Sequence, residues 1–365
     1  MPHLSSSPNL PDSSALSDLS DLSDVNQVLN ANLPSAVRPI DRVALSDLDA
    51  TQFAQRYQRR GVPVILTGLL QPEWDWHLDY LREMLGDRAF LLRYYGRDRY
   101  QQDKRNWTSI GSGVQTQSKS FNDYADLIQS GVAQAEDIYL AKCSLQSTPL
   151  ADTAAITTLK TALGQLGLQK PASSLNLWVG PIGHLECLHY DPMDGTLVQL
   201  HGYKRVVMFP PSQTFNLYPY PFYAHLRYGL RLRSWFSRVY PDRPDFEAFP
   251  RLRQAMQHKY ELMLQPGEVL YIPAGWWHEI SAVADPNAGD AGVAKFEDAT
   301  SNQDMVCSVN RFWRVYPTRR AWFFWGRWRA YLGSACAVPN VLFQLMVALL
   351  SPDRQQKIKA ILQML

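Results

Sequence analysis

His189 and Asp191 stand two residues apart in the stretch from Leu175 to Pro211, and His278 lies in a second stretch, PGEVLYIPAGWWHEI. In an extended strand successive side chains alternate faces, so an imidazole and a carboxylate two residues apart share one. Together they make two-thirds of a ligand set, which a second imidazole from elsewhere completes. Two histidines and one carboxylate on one side of a metal leave positions free, the arrangement of O2-using non-haem Fe(II) sites. His-x-Asp alone is a weak signal in a chain with eight histidines; a strand histidine bonded to a neighbouring carboxylate is the plain alternative. The setting of His278 adds weight. Pro266-Gly267 suits a type II turn, Val269–Ile272 reads as a buried strand, and Trp276-Trp277-His278 follows. A histidine buried in such apolar surroundings needs a partner, and a metal supplies one.

Lys204 is the second chemically informative residue. The run Thr196–Leu200, then His201-Gly202, then Tyr203–Phe209 reads as a hairpin with a two-residue turn, which sets Lys204 opposite Gln199. A lysine inside an apolar hairpin is costly unless it meets an anion. Lys204 therefore reads as the anchor of an acidic cosubstrate, with snorkelling to the surface as the alternative. Glu186, three residues before His189, would repel such a cosubstrate, pair with Lys204 in its place, or point away. Cys187 shares the face of His189 only if the strand is regular.

The elements that must position these residues are short β-rich runs: Leu175–Val179, Leu185–Tyr190, Thr196–Leu200, Tyr203–Phe209, Val269–Ile272, His278–Val283 and Met305–Phe312. Regular short strands separated by Gly/Pro turns predict a mainly β fold built on a jelly-roll barrel, a double-stranded β-helix with flanking helices. The mouth of such a barrel holds a small ligand well. Upstream, helices and strands alternate. A helix through Phe53 and Tyr57 ends at Gly61, Pro63–Leu66 is a strand, and Trp76–Leu85 is a helix stopped by Gly86. Ala89–Tyr95 is a strand, and Ser120 caps FNDYADLIQ with Asp123 at the capping-box distance.

These residues resemble the Jumonji-C branch of the cupin-like Fe(II)/2-oxoglutarate oxygenases, most closely its asparaginyl hydroxylases. The resemblance runs from about Arg38 to the C-terminus and is carried by GH…HYD, QLHGYKRVVMFPP, LYPYP, PGEVLYIPAGWWH and VNRFW. It implies that His189, Asp191 and His278 bind Fe(II), and that Lys204 meets the distal carboxylate of 2-oxoglutarate. It further implies that Tyr139 in EDIYLAK contacts the same carboxylate and Asn310 lies near the cosubstrate. Trp313 matches an aromatic at the substrate entrance. The implied activity is hydroxylation of a C–H bond, with a protein side chain as substrate and a small molecule or a tRNA base as alternatives. Two positions depart from the family pattern. Glu186 stands where Thr or Ser is usual, and Gly195 where Asn is frequent. A metal-binding cupin that does not use 2-oxoglutarate is the rival reading, and Glu186 favours it. A dimeric scaffold with a vestigial barrel is a third.

The 365 residues suffice for a sizeable core. A hydrophobic content of 46%, a charged content of 19% and a net charge of +2 describe an ordinary globular chain and give no bulk electrostatic argument for nucleic acid. Cys143, Cys187, Cys307 and Cys336 are scattered without a Cys-x-x-Cys, and no signal peptide is apparent, so a cytoplasmic setting is expected. Residues 1–35, with their SDLSDLSD repeat, are too polar to order themselves. Residues 36–313 form the cupin-like domain, with the barrel at about 175–313. Two insertions interrupt it. One, about 212–264, mixes aromatics with Arg227, Arg231, Arg233 and Arg238 and reads either as a substrate-binding cover or as a solvated excursion. The other, 284–304, reads as a mobile loop after His278. Residues 314–365 are helical in character. Their apolar run, 335–350, is short for a bilayer span and holds Pro339, so no stable membrane insertion is expected. An apolar face buried against a second subunit is, and the resemblance likewise implies a homodimer through C-terminal helices.

Overall fold

The computed structural model describes residues 38–70, 74–96, 98–110, 114–286 and 305–362. The N-terminal segment expected not to order itself, and most of the loop expected after His278, fall outside these residues.

Thirteen strands form two sheets among the described residues. They are β1 (Arg42–Ala44), β2 (Val64–Thr67), β3 (Ala89–Tyr94), β4 (Gln115–Ser120), β5 (Ile138–Ser144), β6 (Asn176–Pro181), β7 (Leu185–Tyr190), β8 (Asp194–His201), β9 (Tyr203–Phe209), β10 (Tyr260–Leu264), β11 (Val269–Ile272), β12 (Trp277–Val283) and β13 (Met305–Trp313). The larger sheet runs β1-β2-β11-β8-β13-β6-β5-β3-β4 and the smaller β10-β9-β12-β7. This is the expected jelly-roll of the cupin-like kind, mainly β with flanking helices.

Strand alternation distributes the core. One face of the large sheet packs on helices α1 (Leu78–Leu85), α2 (Phe121–Gln129) and α3 (Ala154–Gln165), through Leu81, Tyr124, Leu159, Leu177 and Val198. A second cluster joins the sheets through Ile65, Leu197, Val206, Leu264 and Leu270. The outer face of the small sheet presents Leu188, Tyr190, Val207, Phe209 and Trp277 to Leu217, Val239 and Leu252 of the segment after β9. Ser120 accepts from the Asp123 N–H and Asp123 accepts from the Ser120 N–H, which closes the expected capping box.

Two expectations need correction. β8 and β9 are consecutive but do not pair: β8 lies between β11 and β13, β9 between β10 and β12. Gly202 is a corner between sheets, not a hairpin turn. Its φ is +66°, and a Cβ there would lie 2.7 Å from the Met305 carbonyl oxygen, so no larger residue fits. Gln199 braces the corner by donating from Nε2 to the carbonyls of His201 and Gly202. Lys204 consequently sits beside Leu264 and Ala282, not opposite Gln199. The insertion is also shorter than read, because Tyr260–Leu264 is strand β10 of the small sheet.

After β13 the chain forms the helix α4 (Trp325–Leu349), which runs through Pro339 without ending, and then α5 (Arg354–Leu362). Arg320 leads into α4 and clamps Asp194 at 3.0 and 3.1 Å. One face of α4 docks on the insertion. Buried Arg329 donates to the carbonyls of Ser234 and Tyr220, and a Cβ on Gly333 would lie 2.5 Å from Ser234 Oγ. The segment Arg319–Leu349 is long and apolar enough, by length and composition only, to cross a membrane; it extends beyond the short apolar run visible in the sequence.

Candidate metal centre

β7 and β12 pair antiparallel with His189 directly opposite His278. The side-chain donors of His189, Asp191 and His278 lie within 4.8 Å of one another. His278 Nε2 stands 3.6 Å from Asp191 Oδ2, and the two imidazole centroids are 4.3 Å apart.

The backbone selects the atom each histidine offers. His189 Nδ1 lies 2.8 Å from the Cys187 carbonyl oxygen and His278 Nδ1 3.0 Å from that of Trp276. A carbonyl only accepts, so each Nδ1 carries the hydrogen and each Nε2 presents its lone pair. Burial first, and the neighbouring His189 second, lower the pKa of His278 to about 4, so it is neutral near pH 7, the form that binds metal. Two imidazole nitrogens and one carboxylate on one side of a point suit Fe(II) and leave the other side free.

That free side opens into a cavity of about 550 Å³. Lys204, only 5% exposed, lines it, and its Nζ donates to Ser308 Oγ at 2.5 Å. Burial lowers the Lys204 pKa to about 8. Tyr139 lines the wall, stacked on His184 with centroids 3.7 Å apart; burial raises its hydroxyl well above the usual value. Its ring has room because residue 180 is glycine, where a Cβ would fall 1.9 Å from Tyr139 Cδ2. Asn310 also faces the cavity, its Oδ1 held by Trp178 Nε1 at 2.9 Å and Asn176 Nδ2 at 3.3 Å.

Trp313 does not line the cavity. It is 3% exposed, belongs to the core beneath the large sheet and donates to Thr196 Oγ1. Asn310 and Phe312 take the cavity face of β13, so strand parity turns Trp313 the other way and Phe312 is the aromatic at this position.

Glu186 faces the cavity together with His189. Three residues apart, they would take opposite faces of a regular strand. The β7–β12 register shifts between His278 opposite His189 and Ile280 opposite Glu186, which places one extra residue in β7 and brings both inward. Burial works to raise the Glu186 pKa, but His189, His184, Arg99 and Arg93 outweigh it and hold it below the usual value. No salt bridge joins Glu186 to Lys204 among the described residues. Cys187 turns into an apolar cluster with Trp107 and Phe236.

Among the wall residues not assigned to the site from the sequence are His184, Arg93, Lys142 and Trp178. His184 Nδ1 lies 2.7 Å from Asp137 Oδ1, and its Nε2 is buried without a hydrogen-bond partner. The quoted Gly-His pair was the only signal for it. The insertion contributes Arg231, Arg233, Trp235 and Phe236, so it does form part of the cavity wall; Arg227 and Arg238 do not reach it. Phe236 stacks on the His189 imidazole at 4.7 Å.

A family model described as a cupin-like domain matches residues 50–319. Jumonji C domain-containing protein 5 of Drosophila melanogaster is 28% identical over 280 residues, 70% of this chain and 62% of that protein. Lysine-specific demethylase 8 of Xenopus tropicalis is 28% identical over 237 residues, 63% of this chain and 48% of that protein. HSPB1-associated protein 1 of Homo sapiens is 38% identical over 157 residues, 40% of this chain and 30% of that protein. The match thus spans less than two-thirds of each relative's length.

Proposed function

The chain belongs to the cupin-like, Jumonji-C-type domain family, and on that footing we propose that it is an Fe(II)- and 2-oxoglutarate-dependent dioxygenase that hydroxylates a C–H bond of a protein side chain. The observation that carries this reading is the convergence of His189, Asp191 and His278 on one point beside a cavity with a buried lysine at its wall. When bound, iron and the keto acid supply the oxidation: one O2 is consumed, the keto acid leaves as succinate and CO2, and R–H becomes R–OH.

The chain's own groups do the rest. The two Nε2 atoms and the Asp191 carboxylate hold the metal from one side. The Lys204 ammonium, with Ser308 beside it, takes the distal carboxylate of 2-oxoglutarate; Tyr139 and Asn310 border the same space. Trp235, Phe236 and Phe312 wall the cavity and exclude water from it. Hydroxylation of an N-methyl group would end in demethylation, the reaction named for the Xenopus tropicalis relative, so the substrate decides between the two outcomes.

The test is succinate release from 2-oxoglutarate by the Fe(II)-loaded full chain, with His189→Ala as control. Turnover that depends on iron and on His189 supports the reading. A loaded protein that neither binds nor turns over 2-oxoglutarate favours the metal-binding cupin, for which the inward Glu186 carboxylate speaks.

The same reading takes the outward face of α4 as a homodimer contact, since Leu342, Phe343 and Leu349 are 61, 60 and 61% exposed. Light scattering should give twice the chain mass, and Leu342→Glu with Phe343→Glu should halve it. A monomer that floats with lipid vesicles would overturn this and favour a membrane role for α4.

A further inference from the structure

We propose that the cavity carries an anion-binding subsite, built from Arg93, Lys142 and Arg233, which selects a protein substrate by an Asp or Glu carboxylate next to the carbon to be oxidised. The proposal deepens the dioxygenase reading and rests on it for the identity of the reaction.

The charge balance of the cavity comes first. Among the described residues five basic side chains line it, Arg93, Lys142, Lys204, Arg231 and Arg233, against two carboxylates, Glu186 and Asp191. A divalent metal and a dianionic keto acid cancel each other, so loading the site leaves this excess in place. Lys204 is held at the inner end by Ser308. Arg93, Lys142 and Arg233 form a separate group. Among the described residues, none of these three has a carboxylate within the 4.0 Å of a salt bridge.

Three separate parts of the chain bring them together. Arg93 lies on β3, opposite Tyr139 in the pairing with β5. Arg233 comes from the insertion, its guanidinium 5.5 Å from the Trp235 ring. Lys142 sits in β5 where the pairing with β6 slips between Leu140 and Cys143, and its φ is +57°. A left-handed backbone is strained for a residue with a Cβ, and a bulge beside a site re-aims a side chain. Here it aims Lys142 into the cavity wall.

The three groups also sense one another. Lys142 keeps solvent contact, yet nearby protein atoms desolvate its ammonium, and the Arg233 and Arg93 guanidiniums depress its pKa further. Burial, then Arg93, depresses Arg233 in the same way. Asp191 offsets this in part for Lys142, and Glu186 and Asp191 for Arg233, but without a direct ion pair; a bound carboxylate relieves the repulsion that is left. Methyl-lysine would add a cation to them. The demethylase reaction named for one relative is therefore disfavoured in this cavity, and an acidic segment is favoured.

The test titrates capped nine-residue peptides of one frame, differing only in a central Asp, Asn, Lys or trimethyl-Lys, into the full chain loaded with Mn(II) and 2-oxoglutarate. Affinity is read by calorimetry without turnover. The Asp peptide should bind at least about tenfold more tightly than the Asn peptide, and the lysine peptides more weakly still. Lys142→Glu should reverse the order, favouring Lys over Asp. Lys142→Gly should erase the preference while melting no lower than wild type, because glycine accepts the left-handed backbone; this separates lost recognition from lost folding. Equal binding of Asp and Asn peptides, binding of neither, a preference for the cationic peptides, or an Asp preference that survives in Lys142→Gly overturns the proposal. If 2-oxoglutarate neither binds nor turns over but the Lys142-dependent Asp preference holds, the dioxygenase reading fails and the anion subsite stands.

Discussion

His189 and His278 face each other across neighbouring strands, and each gives its Nδ1 hydrogen to the backbone carbonyl two residues before it. The same local device, used twice, leaves both Nε2 atoms free with the Asp191 carboxylate beside them. Removing one donor should therefore abolish binding, not weaken it slightly. His278→Ala is expected to lower Co(II) affinity by about 100-fold or more, beyond the effect of losing an outer-shell partner. The visible absorption of a Co(II) titration reads this directly.

Lys204 carries the pH prediction. Its pKa in the free protein is depressed to about 8 by burial. On the proposed reading the ammonium would bind the dianion and the neutral amine would not. The KM for 2-oxoglutarate should thus be flat below pH 8 and rise above it by about tenfold per unit, until the anion-bound form loses its proton too. Lys204→Arg, charged throughout, should flatten the profile even if its KM is higher.

Glu186 places a carboxylate on the wall of the same cavity as the proposed cosubstrate site. Replacing it by the family's usual residue, Glu186→Thr, should lower the KM for 2-oxoglutarate by roughly tenfold, about 1.4 kcal/mol. Succinate release over a range of keto-acid concentrations checks this. A KM that rises instead would mean that Glu186 helps binding, through the cations it faces.

Asp194 is 1% exposed and takes both Arg320 nitrogens, the Tyr271 hydroxyl at 2.8 Å and the Ala274 N–H at 2.8 Å. Arg320→Ala strands that carboxylate in the protein, and should cost about 3–5 kcal/mol in a urea melt. The pair variant Arg320→Met with Asp194→Leu should recover part of this, because no buried charge is then left unpaired.

His225 lies under α4, fully buried, with its Nε2 accepting from the Ser234 N–H at 3.0 Å. Burial lowers its pKa to about 4. The unfolded chain takes up this proton near pH 6.5 and the folded chain only near 4, so between them the unfolded state binds more protons. Stability should fall by up to about 3 kcal/mol as pH drops through that window. His225→Asn should remove most of this slope, measured as Tm against pH.

Local pattern made much of the molecule legible. The bounds of β7, β9 and β11 coincide with the runs read from the chain, and the Ser120 cap forms as its spacing implies. Alternation placed His189 beside Asp191, because two-residue periodicity is a property of any extended backbone. It failed where the strand is irregular. Glu186 faces inward only because of a bulge, and Lys142 only because of a left-handed residue within a strand. The β8–β9 corner looked like a hairpin because a Gly-containing turn is similar in both cases; which sheet each strand joins depends on partners far away in the chain.

The sequence by itself determined the elements and the ligand types, since periodicity, caps and turn residues act within a few positions. It also held Lys204 as a buried cation awaiting an anion. Only the tertiary structure decided that β12 lies beside β7, that the insertion walls the cavity, and that Arg93, Lys142 and Arg233 line that one cavity. Those outcomes come from packing between segments far apart in the chain, where small sums of many contacts choose the arrangement and no local signal records the choice.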